Sequence, residues 1–195
     1  MASFTRKAIM RSCVRLLEER PVDKITVKDI VEDCGINRNT FYYHFADLPS
    51  LINAIMQEEV ERIIQEKYDG NSLWECLESA IHVALTHRRA VLHIYQSANR
   101  AELERHLFRI GRSAVTRYVD RVCRDMPGVS VSPEDRRIII QAYTCESVGQ
   151  LMHWMNGSMK EDFARDMIRL CRLREGVTRT MLLRSAEQSP HADGT

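Results

Sequence analysis

No stretch of this chain is apolar for anything near the ~20 residues a helix needs to cross a bilayer. Its first 20 residues alternate charged with apolar side chains instead of forming a leader's continuous apolar segment. The expectation is a soluble, cytoplasmic protein. The six cysteines, Cys13, Cys34, Cys76, Cys123, Cys145 and Cys171, stand singly, so no C-x-x-C and no Cys/His pair has the spacing of a zinc site. Each sits among apolar residues at helical spacing, which is the pattern of buried free thiols. No Ser/His/Asp set, no paired carboxylates and no phosphate-cradling loop occurs at a spacing that would support catalysis. The isolated His82, His87 and His106 belong to no ligand set. Neither an enzyme nor a cofactor nor a bound metal is expected. An excess of one charge is missing too: 28 Lys and Arg face 27 Asp and Glu, and residues 1–50 carry eight against seven. Without a general basic field, a grip on nucleic acid has to come from specific contacts and from their duplication in a dimer.

What is present is ordinary in bulk and specific in one place. A 195-residue chain with 44% hydrophobic and 28% charged residues can bury a substantial core. Within it, residues 26–45 read TVKDIVEDCGINRNTFYYHF. Thr26 is an N-cap with Asp29 three residues on, and Val27, Ile30, Val31 and Cys34 give the following helix an apolar side. Gly35 stops that helix, Ile36 fills the turn, and Asn37 caps a second helix of about two turns. This is the sequence form of a helix-turn-helix. Phe41 and Phe45 supply the second helix's buried face. Arg38, Asn39, Thr40, Tyr42, Tyr43 and His44 are left to face outward. An Arg suited to guanine, an Asn suited to adenine, a Thr methyl for thymine and phenols for phosphate oxygens make that face a candidate for a DNA groove. The alternative is that Tyr42 and Tyr43 pack on a neighbouring helix.

The first ~60 residues resemble the DNA-binding domain of the TetR/AcrR transcriptional regulators. The likeness rests on a helix from Arg6 to Glu19, then I-T-V-K-D-I, then C-G-I-N-R-N-T-F-Y-Y-H-F, then a fourth helix from Asp47, in order and without gaps. The resemblance implies that Thr26 and Lys28 touch phosphate, that Arg38, Asn39, Thr40 and Tyr43 face bases, and that Tyr42 and His44 hold the backbone. Two departures stand out. Asp47-Leu48-Pro49 replaces the Lys common at the start of the family's fourth helix, and Pro21-Val22 replaces the usual Gly-aromatic pair.

Ile9, Cys13, Leu16 and Leu17 form an amphipathic stripe on the first helix. Leu51, Ile55, Val60 and Ile63/Ile64 mark the fourth, which runs to about Lys67 and ends at Asp69-Gly70-Asn71. Beyond Gly70 the apolar period is helical throughout, with helices expected over about 72–86, 88–97, 101–125, 133–156 and 160–186. The resulting expectation is an all-α chain of about nine helices. Residues 1–48 form a helix-turn-helix domain, the fourth helix (47–67) links it onward, 49–187 form a ligand-binding and dimerisation domain, and 188–195 are a disordered tail.

The helix over 133–156 is apolar on most sides, with Glu146 its one formal charge between Ile138 and Met155. It therefore calls for more cover than its own domain provides. Ile138, Ala142, Cys145, Gly149 and Met152, with Phe163, Met167 and Leu170 of the last helix, are the expected homodimer interface. A central helix in a monomeric bundle is the competing reading. Another stripe, Tyr143, Glu146, Gln150 and His153, with His93, Tyr95 and Trp154 as walls, is either a pocket for a small-molecule effector or a solvated face. Glu146 needs a charge partner, with Arg88, Arg89, Arg117 and Arg121 as candidates; failing those, an effector with a polar or basic end would serve. Together with the resemblance, these features imply a homodimeric, ligand-responsive regulator bound to double-stranded operator DNA, most simply a repressor. The alternative is a regulator-like adaptor or co-activator that works through a protein partner.

Overall fold

The computed structural model describes residues 2–66, 73–160 and 162–188. Among them are ten α-helices and one 3-10 turn: α1 (Ala2–Glu19), the turn Val22–Lys24, α2 (Val27–Cys34), α3 (Arg38–His44), α4 (Leu48–Glu66), α5 (Leu73–Thr86), α6 (Arg88–Tyr95), α7 (Arg100–Arg124), α8 (Pro133–Asn156), α9 (Asp162–Leu173) and α10 (Val177–Gln188). The Asp69–Asn71 break, the Cys76 thiol, the Ile64 side chain and the tail from 189 lie outside the described residues and side chains.

The chain divides into two compact units, Met1–Arg62 with His82–Leu107, and Ile63–Ile81 with Phe108–Thr195. Compactness thus groups most of α4, all of α6 and the start of α7 with the first three helices. In the first unit Ile9, Leu17, Ile30, Phe41, Leu51 and Ile52 are essentially sealed from solvent, and Ala90 and Ile94 of α6 join the same core. One backbone detail helps tie α6 to α1. The carbonyl of Leu17 would normally accept from the amide of residue 21, but residue 21 is proline and has none. Nδ1 of His93 takes that place at 2.7 Å. On the buried side of α1, Cys13 is sealed in, and burial pushes its thiol up to about 12, which makes it inert.

In the second unit Val115, Val119, Ile139, Ile140 and Leu182 form the core joining α7, α8 and α10. Gly111 lets α7 and α8 approach closely, since a Cβ there would lie 3.0 Å from Val148 Cγ2. α8 begins as its sequence implies, with Ser132 accepting from the Asp135 amide and Pro133 in the first turn. α10 docks through Ser185, which donates to Asp135 at 2.6 Å and accepts from the Ser132 amide at 3.2 Å.

The single helix expected over 160–186 is two helices. The chain breaks at Arg174–Gly176, where Gly176 has φ 78, a left-handed conformation that glycine adopts without a Cβ penalty.

Candidate nucleic-acid interface

The helix-turn-helix is specified by short-range hydrogen bonds. At the start of α2 the Thr26 hydroxyl accepts from the Asp29 amide at 3.2 Å, and the Asp29 carboxylate accepts from the Thr26 amide at 2.8 Å, closing a capping box. The Thr26 hydroxyl and then its amide hold the Asp29 carboxyl below the usual carboxylate range, and Arg20, 3.3 Å away, adds to the effect. Gly35 ends α2 at φ 68, and Asn37 opens α3 by accepting from the amide and hydroxyl of Thr40 at 2.8 and 3.0 Å. Ser12 of α1, itself buried, donates to Asp33 at 2.5 Å and so fixes α2 on the scaffold helix.

α3 is therefore short, capped and one-sided. Phe41 is fully buried and packs on Phe45 with ring centroids 6.0 Å apart. On the opposite side Arg38 and Asn39 are exposed, Tyr42 is 54% and Tyr43 80% exposed, and His44 is half-buried against the edge of Tyr43. The Thr40 hydroxyl is engaged in the cap, which leaves its methyl as the outward group. Exposed to this extent, Tyr42 and Tyr43 are not buried against a neighbouring helix among the described residues. Thr26 and Lys28 are exposed at the start of α2, with Lys28 only loosely paired to Glu32 at 3.7 Å.

Charge around this surface is sparse. Of the eight cations in residues 1–50, Arg6, Arg15, Arg20 and Lys28 are in ion pairs with Glu58, Asp33, Asp29 and Glu32. Lys7, Arg11, Lys24 and Arg38 make none among the described residues.

A capped, two-helix reading head with an exposed Arg-Asn-Tyr face matches what family comparison finds. The family profile described as bacterial regulatory proteins, tetR family, matches residues 9–55, and one described as transcriptional regulator C-terminal region matches residues 71–173. The chain belongs to the TetR family. It is accordingly a DNA-binding transcriptional regulator with an N-terminal helix-turn-helix and a C-terminal helical region, in a family that is not enzymatic. The HTH-type transcriptional regulator UidR of Escherichia coli K12 is 25% identical over 131 residues, 64% of this chain and 67% of UidR. Among solved structures, the dihydroxyacetone kinase operon activator DhaS superposes with a TM-score of 0.72 at 15% identity, covering 89% of this chain and 97% of DhaS. NalD, the secondary repressor of the MexAB-OprM multidrug efflux pump in Pseudomonas aeruginosa, superposes with a TM-score of 0.60 at 21% identity, covering 92% and 97%. At these identities both structural likenesses speak for the TetR-family fold.

The seven residues expected to line an effector pocket are divided between the two units. His93 and Tyr95 lie in the first unit, where His93 caps α1 and Tyr95 is buried beneath the Arg100 guanidinium, 4.3 Å from the ring centroid. In the second unit Trp154 is also structural. Its indole N–H donates to the Lys160 carbonyl at 2.8 Å, and the ring stacks on Phe163 at 5.0 Å. Tyr143 shares a hydrogen bond with Thr178 at 3.0 Å, Gln150 is half-buried, and His153 is exposed.

Glu146 has its partner within the chain, though none of the four arginines named as candidates supplies it. Arg174, just beyond α9, donates to the carboxylate at 2.6 Å and lies over the Tyr143 ring. The carboxylate thus needs no basic end of a ligand. Sequence reasoning missed Arg174 because it sits 28 residues away beyond a helix break. His93 was missed as a cap for a similar reason, although the proline that leaves Leu17 unpaired was a legible signal.

Of the residues expected at a dimer interface, Ile138, Ala142, Cys145 and Gly149 line the exposed side of α8, with Met152 half-buried beside them. Nothing comes within 4 Å of where a Gly149 Cβ would stand. Leu170 is half-buried, whereas Phe163 and Met167 are buried inside the chain's own core. Among the described residues no helix is long and apolar enough to cross a membrane, and no cluster of three or more His, Cys, Asp or Glu is placed to hold a metal.

Proposed function

We propose that this regulator binds a pseudo-palindromic operator as a homodimer and that a small-molecule effector releases it, so that it acts as a repressor. The observation that carries the reading is the exposed Arg38–Asn39–Tyr42–Tyr43 face on a helix capped and anchored from behind. Arg38 and Asn39 then read base edges, together with Tyr43 and the Thr40 methyl. Thr26, Lys28, Tyr42 and His44 hold phosphate. With only four cations of residues 1–50 outside ion pairs among the described residues, specific binding rests on base contacts and on two reading heads, spaced about one DNA turn (~34 Å) apart.

The homodimer is supported by the exposed side of α8. Ile138 is 49% exposed, Ala142, Cys145 and Gly149 farther along its side are small and exposed, and Leu173, the last residue of α9, is 70% exposed. Such a surface suits a second copy packing helix against helix. Repression is the simpler sign of regulation, because occupancy of a promoter suffices for it whereas activation needs a further surface for the polymerase. UidR is named without a sign, DhaS as an activator and NalD as a repressor. Release follows if an effector held by the C-terminal region displaces α4, which runs unbroken from Leu48 to Glu66.

Selection of bound fragments from a random duplex library, followed by sizing of the protein–DNA complex, tests this. The expected outcome is an enriched inverted repeat bound by two chains. Enrichment of no sequence, with a protein partner captured instead, would favour an adaptor.

A further inference from the structure

A cleft of about 520 Å3 opens in the first unit between the turn after α1 and the turn after α6, lined by residues 21–23, His93 and residues 96–99. Its one formally charged lining group is the Asp23 carboxylate, and the amides of Gln96 and Asn99 each offer an acceptor oxygen beside their N–H donors. Asp23 is exposed and has no ion-pair or hydrogen-bond partner among the described residues. Nδ1 of His93 lies 2.7 Å from a carbonyl oxygen, so it must carry a proton, and in the neutral ring Nε2 is then a bare acceptor. The Asn99 side-chain nitrogen is directed at Ser97 Oγ, 3.4 Å away. Two helices also end here, α1 at Glu19 and α6 at Tyr95, and the carbonyl end of a helix carries partial negative charge.

No cation lines the cleft to offset these groups. Arg20 is drawn to Asp29 at 3.3 Å, and Arg100 to Glu104 at 2.8 Å and over the Tyr95 ring. Lys24 is not among the lining residues.

We propose that this cleft is a binding site for a small aliphatic amine, with its ammonium group donating to the Asp23 carboxylate and to Nε2 of His93. An ammonium offers three donors and no acceptor, which complements the Asp23 carboxylate and a bare ring nitrogen. A neutral polyol lacks the charge, and a carboxylate is repelled by it. The occupant would bridge the turns that follow α1 and α6, the two helices that the His93–Leu17 hydrogen bond joins. The site is independent of the DNA-reading face and of the proposed effector response.

Amide chemical shifts of the full chain, followed while putrescine is added and with butanediol and succinate as controls, test the site. Putrescine is expected to move the amides of Val22, Asp23 and residues 96–99 saturably, and the controls are not. Asp23→Asn, at an exposed position, is expected to weaken putrescine binding about tenfold or more, the worth of a hydrogen bond to a charged group. Gln96→Lys, also exposed, places a competing cation at the cleft and is expected to abolish binding. Three results would each overturn the proposal: no saturable shift with putrescine, an equal response to butanediol, or undiminished affinity in the Asp23→Asn variant.

Discussion

α3 and α8 each leave one side uncovered, and the two sides have opposite chemistry. That of α3 is Arg38, Asn39, Tyr42 and Tyr43, rich in directional hydrogen-bonding groups on long or flat side chains. That of α8 centres on Ile138, Ala142, Cys145 and Gly149, small or apolar, with the exposed Gln141 and His153 beside them. The first suits a partner whose surface carries a pattern of donors and acceptors; the second suits one that offers shape. Exposure alone says little, since most of any surface is exposed. What the exposed residues can bond to is informative.

The comparison breaks most severely if the α8 side is made unfit for packing. Gly149→Arg is expected to yield a monomer or aggregate in sedimentation, with operator affinity lower by about 10²–10⁴ through loss of the second reading head. An unchanged dimer with full affinity would place the interface elsewhere. The α3 side can be undermined from behind instead. Phe41→Ala removes a fully buried ring and is expected to cost about 3–5 kcal/mol, seen as a lower denaturation midpoint together with lost DNA binding.

A smaller change sharpens the contrast by loosening the reading head without touching its face. Thr26→Ala removes the α2 cap and is expected to lower Tm by about 2–4 °C. The sign of its pH dependence follows from Asp29. The folded-state pKa is depressed, so the stabilisation is present above the unfolded value of ~3.9 and is lost as pH falls through the folded one. The gap between wild type and variant should therefore narrow in acid, as measured by thermal melts across pH. Smallest of all, Glu146→Gln alters a partly exposed pair with Arg174 on the flank of the α8 side and is expected to change stability by less than about 1 kcal/mol. A large loss would show that the pair is covered in the dimer.

How much could be seen beforehand differs between the two helices for the same physical reason. α2 and α3 are defined by contacts three or four residues apart: Thr26 with Asp29, Asn37 with Thr40, and Phe41 with Phe45. Those spacings are visible in a string of letters, and so was the all-helical architecture. The features that were misjudged depend on partners far along the chain. His93 answers a missing proline N–H at a position 76 residues from its bonded carbonyl, and Arg174, just past the end of α9, reaches Glu146 28 residues back on α8. Neither pairing leaves a mark in local periodicity, so a polar stripe on α8 was as compatible with a pocket wall as with a surface ion pair. Phe163 and Met167 were assigned outward for the same reason, since an apolar stripe does not reveal whether it meets its own chain or another.

Whether α3 reads bases is tested most directly by competition binding of wild type and Arg38→Ala against the selected operator and single-base variants of it. Arg38 is exposed and outside any ion pair among the described residues, so the substitution should leave folding intact. The expected result is a loss of about 1–3 kcal/mol on the operator that disappears for variants at one base pair, so that preference at that position is relaxed. An equal loss on every sequence would make Arg38 a phosphate contact and contradict its assignment as a base-reading residue.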